Sequence, residues 1–181
     1  MNDLEAVLEA LLFASDAPLA PDKILDLLKD QGVLKGDIMT GLNALKTYYE
    51  NRQGGFLLQE VAGGYQFRTR SDLSTWVKRL KSSRPALLSP AGLETLAVIA
   101  YRQPVVKAEI DGVRGVDAGG TLKGLLERKL VRIVGRKDVP GKPILYGTTK
   151  KFLETFHLND LSELPTIREL KELQKSMGSE A

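Results

Sequence analysis

Leu4, Val7, Leu8, Leu11 and Leu12 recur at i, i+3, i+4, i+7 and i+8, the spacing of a helix with a buried side. Ala6, Ala10 and Phe13 widen that stripe until more than one face is apolar. A short helix is expected over 22–30 with Ile24, Leu27 and Leu28 inward, and a longer one from Asp37 with Ile38, Leu42, Leu45 and Tyr49 along one face. The period then changes from helical to alternating. Residues 56–61 and 65–70 read as two strands, with Tyr65, Phe67 and Thr69 alternating with Gln66, Arg68 and Arg70. Gly63 and Gly64 are expected to supply the positive φ angles of a tight hairpin. Leu73, Trp76, Val77 and Leu80 share one helical face that would cover the hairpin, which makes Trp76 a packing residue. Residues 81–85 read as a linker.

The same grammar repeats. Sliding the chain by 86 places Val7 on Leu93, Phe13 on Ile99, Pro18 on Pro104, Leu19 on Val105 and Ile24 on Ile110. Ser89 and Pro90 mark a helix start, and Leu93, Leu96, Ala97, Val98, Ile99 and Ala100 leave that helix almost no polar side. In so small a unit, such a helix is covered on its outer side by another element or another protein. A second helix is expected over 106–113, and a third after Gly119 and Gly120 with Leu122, Leu125, Leu126 and Leu130 inward. Strands over 132–136 and 144–148 flank a wing holding Pro140 and Pro143. Phe152 and Phe156 then sit i, i+4 on a closing helix, and Thr166 and Glu169 have capping-box spacing. Three helices and a hairpin, twice over, spell two tandem winged-helix domains in a mainly α protein with small β-hairpins. The expected units are 1–80, 86–158 and a tail over 159–181.

Composition narrows the chemistry. Of 181 residues 43% are hydrophobic and 27% charged, enough apolar content for real cores. There is no cysteine and one histidine, His157, so no thiolate or histidine metal centre is expected, nor any cofactor. His157 reads as a cation at a helix end or a partly buried ring. No apolar run approaches the roughly 20 residues of a membrane span. The start carries Asp3 and Glu5 where a secretory signal would be basic, which points to the cytoplasm. Gly-x-Ser-x-Gly and Gly-x-Gly-x-x-Gly are missing, and Pro143 follows Gly141-Lys142 where a phosphate-binding loop needs Ser or Thr. The chain reads as non-catalytic.

The net charge of +3 hides an asymmetry: residues 1–80 carry 9 basic and 11 acidic side chains, residues 84–157 carry 13 and 7. A basic second half suits phosphate and acidic protein surfaces alike. A winged-helix DNA-binding regulator is therefore the alternative function. Against it, the third helix offers Gly119, Gly120 and Gly124 where base-reading side chains project, and its cations Arg128 and Lys129 sit toward the far end. Arg136, Lys137 and Lys142 on the wing would give DNA contact that is at most weak and non-specific. In the first half Asp22, Asp26, Asp30 and Asp37 disfavour DNA. The wide stripe of Leu4, Leu8, Leu11 and Leu12 there reads as core, or as core plus a dimer interface.

The run 88–105, LSPAGLETLAVIAYRQPV, closely resembles the second domain of the bacterial segregation and condensation protein B (ScpB) family, as do GRKDVPGKP over 135–143 and LYGTT over 145–149. The resemblance covers about residues 4–165 and implies a concrete role. It implies a homodimer formed through the first winged helix, and a second winged helix that grips the kleisin subunit ScpA and reaches the SMC ATPase through it. The implied function is that of a non-catalytic accessory subunit in chromosome condensation and segregation, nucleoid-associated in the cytoplasm. On that reading Tyr101, Arg102 and Gln103 at the end of a helix, with Arg136, Lys137 and Asp138 entering the wing, are the kleisin-binding candidates. A purely local role competes: Arg136 and Asp138 fixing the wing, Tyr101 packing on it. The family pattern has hydroxyl residues where Val106 and Ala118 stand, so two helix caps are expected to be missing, at a cost of about 1 kcal/mol each unless Asp117 substitutes at the second.

Overall fold

The computed structural model describes residues 3–80, 88–166 and 168–169. The first apolar stripe forms α1 (Asp3–Ala14), followed by α2 (Pro21–Leu27) and α3 (Lys35–Asn51). Leu8 and Leu12 of α1 meet Ile38, Leu42 and Leu45 of α3 in one core, closed by Ile24. The helices approach closely because position 41 is glycine: a Cβ there would lie 2.6 Å from Leu8 Cδ1. Asp37 is inside α3 rather than at its cap, and its carboxylate accepts the Leu34 N–H at 3.0 Å, the half of a capping box that does not need a polar cap side chain. Leu27 departs from expectation. It is half exposed because α2 ends there and the chain turns Leu28 inward instead.

β1 (Phe56–Val61) and β2 (Gly64–Thr69) pair antiparallel, with Val61 opposite Gly64. The two turn residues are therefore Ala62 and Gly63, with φ of 53° and 73°, as a type I′ turn requires. Gly64 is glycine for another reason, close approach to the Leu19 backbone. Leu19 and Tyr65 exchange both backbone hydrogen bonds at 2.9 Å, adding a one-residue third strand. Tyr49 stacks among Phe56 and Phe67 and donates its hydroxyl to Glu9.

The helix α4 (Ser74–Leu80) does not cover the hairpin as its pattern suggests. Leu73 and Val77 are half-buried, but Trp76 is 65% exposed and Leu80 more so, with the Arg79 guanidinium over the indole at 4.9 Å. A seven-residue helix following a turn has too few apolar contacts to bury both sides, and Trp76 is a surface residue here. The proposed linker over 81–85 lies outside the described residues.

The second core belongs to α5 (Pro90–Arg102), β3 (Val105–Val106), α6 (Lys107–Arg114), α7 (Gly119–Glu127), β4 (Val131–Arg136), β5 (Ile144–Thr148) and α8 (Lys150–Phe156). Leu96, Ile99, Ile110, Leu122, Leu125 and Phe152 form its centre. Ser89 Oγ caps α5 by accepting the Gly92 N–H at 3.1 Å, with Pro90 in the first turn. The sheet runs β3-β5-β4, all antiparallel, with a bulge at Val134. β3 was not legible beforehand: two valines are too short for a pattern. The Gln103–Pro104 peptide that leads into it is cis.

The uniform shift of 86 holds only after the first helix of each half. Leu19 and Val105 both join the sheet, and Ile24 and Ile110 are both fully buried. Phe13 is 81% exposed, however, while Ile99 is 0% exposed. At about 100° per residue, a slip of two positions carries a side chain to the far side of a helix.

The two halves touch. The Ala62 N–H donates to the Leu158 carbonyl and the Gly63 N–H to Asn159 Oδ1, both at 2.9 Å, while Arg68 Nη2 donates to the Glu154 carbonyl at 3.1 Å. Gln66 and Arg68, on the strand face expected to meet water, are half-buried: Arg68 at this contact, and Gln66 where its Nε2 donates to the Asp16 carbonyl at 3.2 Å.

Candidate partner-binding surfaces

α1 carries two apolar faces with different fates. Leu8 at 0% and Leu12 at 2% exposure are enclosed within the core, and Leu4 and Leu11 are half-buried against it. Of these four interface candidates, only Leu4 and Leu11 reach the surface, at the rim of a second face. That face is made by Val7, Ala10 and Phe13, which are exposed and spaced by three. Its signal in the sequence was the surplus width of the stripe.

α5 repeats the arrangement. Thr95, Leu96, Ile99 and Ala100 are buried, whereas Leu93, Ala97 and Tyr101, spaced by four, form an exposed ridge. Leu93 is 47% and Tyr101 43% exposed, and the Tyr101 hydroxyl donates to the Pro165 carbonyl at 2.7 Å. Arg102, next to it, is exposed. Gln103 is not a free polar group: its Nε2 donates to the Ala100 carbonyl at 3.1 Å and to Thr148 Oγ1 at 2.9 Å, and its Oε1 accepts the Thr148 N–H at 2.8 Å. The amide ties the end of α5 to β5 and so positions Tyr101 and Arg102.

Glu109 links this end of α5 to the wing. Its carboxylate accepts from Lys137 Nζ at 2.7 Å and from the Val106 N–H at 3.3 Å. These hydrogen bonds, with the charges of Lys137 and Arg102, hold the carboxyl below its usual range. The Val106 N–H therefore finds an acceptor in Glu109, although Val106 itself offers no cap to α6. At α7 the expected substitution occurs: Asp117 Oδ2 accepts the Gly119 N–H at 3.2 Å, and Asp111 Oδ1 the Ala118 N–H at 2.8 Å. Lys107 Nζ bridges both aspartates, which lowers their carboxyls and pushes the Lys107 ammonium up to about 12.

The wing is held by its own backbone. Arg136 Nη1 donates to the Lys142 carbonyl at 3.0 Å, the Lys137 N–H to the Pro143 carbonyl at 2.9 Å, and the Lys142 N–H to the Val139 carbonyl at 2.9 Å. Asp138 is exposed at its start. The structure thus gathers Arg102, Glu109 and Lys137 into one polar neighbourhood, turns Arg136 to the Lys142 carbonyl and leaves Asp138 exposed. His157 ends α8 with a left-handed φ of 59° and is exposed. Among the described residues no group of His, Asp and Glu is placed to hold a metal ion, and no helix is long and apolar enough to cross a membrane.

A family model described as segregation and condensation complex subunit ScpB matches residues 6–167. The chain belongs to the ScpB family. It is 51% identical to the segregation and condensation protein B of Syntrophotalea carbinolica over 98% of this chain and 88% of the relative. The corresponding homologue of Coxiella burnetii is 46% identical over 93% of this chain and 81% of its own length. The solved ScpB of Mycobacterium tuberculosis is 33% identical, aligned over 85% of this chain and 94% of that one with a TM-score of 0.39. The two winged-helix units and their small antiparallel sheets accord with this membership.

Proposed function

We propose that this ScpB-family chain is a non-catalytic, homodimeric accessory subunit of a bacterial SMC complex, holding the kleisin ScpA during chromosome condensation and segregation. The observation that carries the reading is the pair of exposed apolar helix faces, one on each winged helix, that no described element covers, in a chain of this family. Residues 1–80 dimerise through Val7, Ala10 and Phe13, with Leu4 and Leu11 at the rim and Leu8 and Leu12 supporting the helix from inside. Residues 86–158 receive the kleisin on Tyr101 and Arg102, with Arg136, Lys137 and Asp138 of the wing as further contacts and Gln103 positioning the first two. The tail from 159 begins with the stitch between the halves.

Two copies offer two kleisin sites, so a dimer raises the local concentration of a second contact once the first is made. Contact with the SMC ATPase then passes through the kleisin, at the nucleoid in the cytoplasm, and no cofactor takes part. Light scattering after gel filtration tests the reading. The native chain is expected near twice 19.9 kDa, and heavier when mixed with the kleisin of the same cell. Phe13→Asp is expected to give a folded monomer. A native monomer that ignores the kleisin would overturn it.

A further inference from the structure

We propose that the outer face of α4 receives the outer face of α1 from a second copy of this chain, each copy giving its α1 to the other's α4. This pairing rests on the dimer proposed above and gives its α1 face a counterpart. Two patches of opposite charge carry it. On α1, Val7, Ala10 and Phe13 are exposed, and the helix holds Asp3, Glu5 and Glu9 with no cation. Asp3 opens that face four residues before Val7, and exposed Asp16 follows three residues after Phe13. On α4, Trp76 and Leu80 are exposed at i, i+4, and between them stand Lys78 and Arg79, with no carboxylate in the helix.

The cations of the first winged helix are concentrated here. Residues 1–67 carry 5 basic and 10 acidic side chains, whereas residues 68–80 carry 4 and 1. The single acid of that stretch, Asp72, is already held by Arg70 at 2.9 Å. Among the described residues no ion pair engages Asp3, Asp16, Lys78 or Arg79, and the Arg79 guanidinium lies over the Trp76 indole instead.

Opposite charges beside apolar side chains suit one another, yet the fold keeps the two patches apart: both stay exposed within one chain. A second copy supplies the missing contact. A two-fold axis makes it reciprocal, because in such an interface residue i of one copy meets residue j of the other and j meets i. The same axis disfavours α4 on α4, which would bring Lys78 and Arg79 of both copies together with no acid between them.

Trp76 is the one tryptophan of the sequence, so fluorescence of the full-length protein reports on α4 alone. Dilution through the dimer-to-monomer transition is expected to shift the emission to longer wavelength in step with the fall in mass seen by light scattering, as the indole passes from protein to water. Constant emission while the mass halves would overturn the pairing and leave the dimer standing. A chain that is monomeric at every concentration would overturn both. Charge reversal then identifies the occupant, with circular dichroism confirming that each variant is folded. Lys78→Glu with Arg79→Glu, and separately Asp3→Lys with Asp16→Lys, are each expected to weaken self-association at least about tenfold. Mixed together, the two variants are expected to form heterodimers, since each offers the charge that the other lacks. An unaffected acid-reversed variant beside a weakened base-reversed one would assign α4 to α4 instead, and a loss that mixing does not recover would refute the pairing of α1 with α4.

Discussion

Gly64 lies so close to Leu19 that a Cβ on it would stand 2.8 Å from the Leu19 carbonyl carbon and 2.9 Å from its oxygen. Both neighbours are backbone atoms held by the Leu19–Tyr65 hydrogen-bond pair, so they cannot move aside as a side chain would. Gly64→Ala is expected to destabilise the first winged helix by about 1–3 kcal/mol, the usual cost of overpacking. At Gly63, with φ of 73° and open space around it, Asn is expected to be tolerated because it adopts the left-handed region. Urea unfolding of Gly63→Asn and Gly64→Ala separates the two roles. An unchanged midpoint for Gly64→Ala would mean that the close approach is not real.

Gln103 offers a second, more local test. Removing its amide with Gln103→Ala leaves the Thr148 N–H without the acceptor it has at 2.8 Å, in a strand residue that is buried. The loss is expected to be about 1–3 kcal/mol, the range for stranding a buried donor. If Gln103 positions the end of α5, the same variant also weakens kleisin binding without touching the ligand. Loss of binding with full thermal stability would instead make Gln103 a direct contact.

The helices were legible because their apolar spacing is long and consistent, and so were both hairpins, whose turns are marked by glycine and proline. What stayed hidden depended on two kinds of information that a pattern lacks. One is which side of a doubly apolar helix faces its own core: Leu4, Leu8, Leu11 and Leu12 look equivalent in sequence, yet α3 takes Leu8 and Leu12 and leaves Phe13 in water. The other is contact between distant segments. Nothing in the alternation of β2 announces that Arg68 will reach the Glu154 carbonyl, or that Gln103 will be consumed by Thr148. Polar side chains at a helix end resemble a binding site until their partners are known.

Asn159 supplies two of the hydrogen bonds between the halves: its Oδ1 accepts the Gly63 N–H while its Nδ2 donates to Glu60 at 3.2 Å. These groups are exposed, so the net worth of the Gly63 bond is about 1 kcal/mol, equivalent to about fivefold in an opening equilibrium. In Asn159→Ala, the Gly63 amide is expected to exchange its hydrogen about fivefold faster, while core amides such as Leu42 keep their rates. Unchanged exchange at Gly63 would show that the Asn159 bond does not protect that amide in solution.

The Lys107 bridge gives the second winged helix a defined response to pH. Hydrogen bonds from Lys107 hold the Asp111 and Asp117 carboxyls below their ordinary range in the folded state. Groups shifted this way contribute stability that is present above the unfolded carboxylate value, near 4, and is lost as pH falls through the lower folded value. Lys107 is shifted the other way, to about 12, so its contribution is intact below the ordinary lysine value and fades only as pH rises through 12. Between about pH 5 and 9 neither group changes charge in either state. The stability difference between the native chain and Lys107→Met is therefore expected to stay level across that window and to shrink as the pH is lowered below 4. Urea midpoints at pH 3, 5, 7 and 9 for both chains would show it. A difference that grows on acidification would mean that Lys107 is not what holds the two carboxylates ionised.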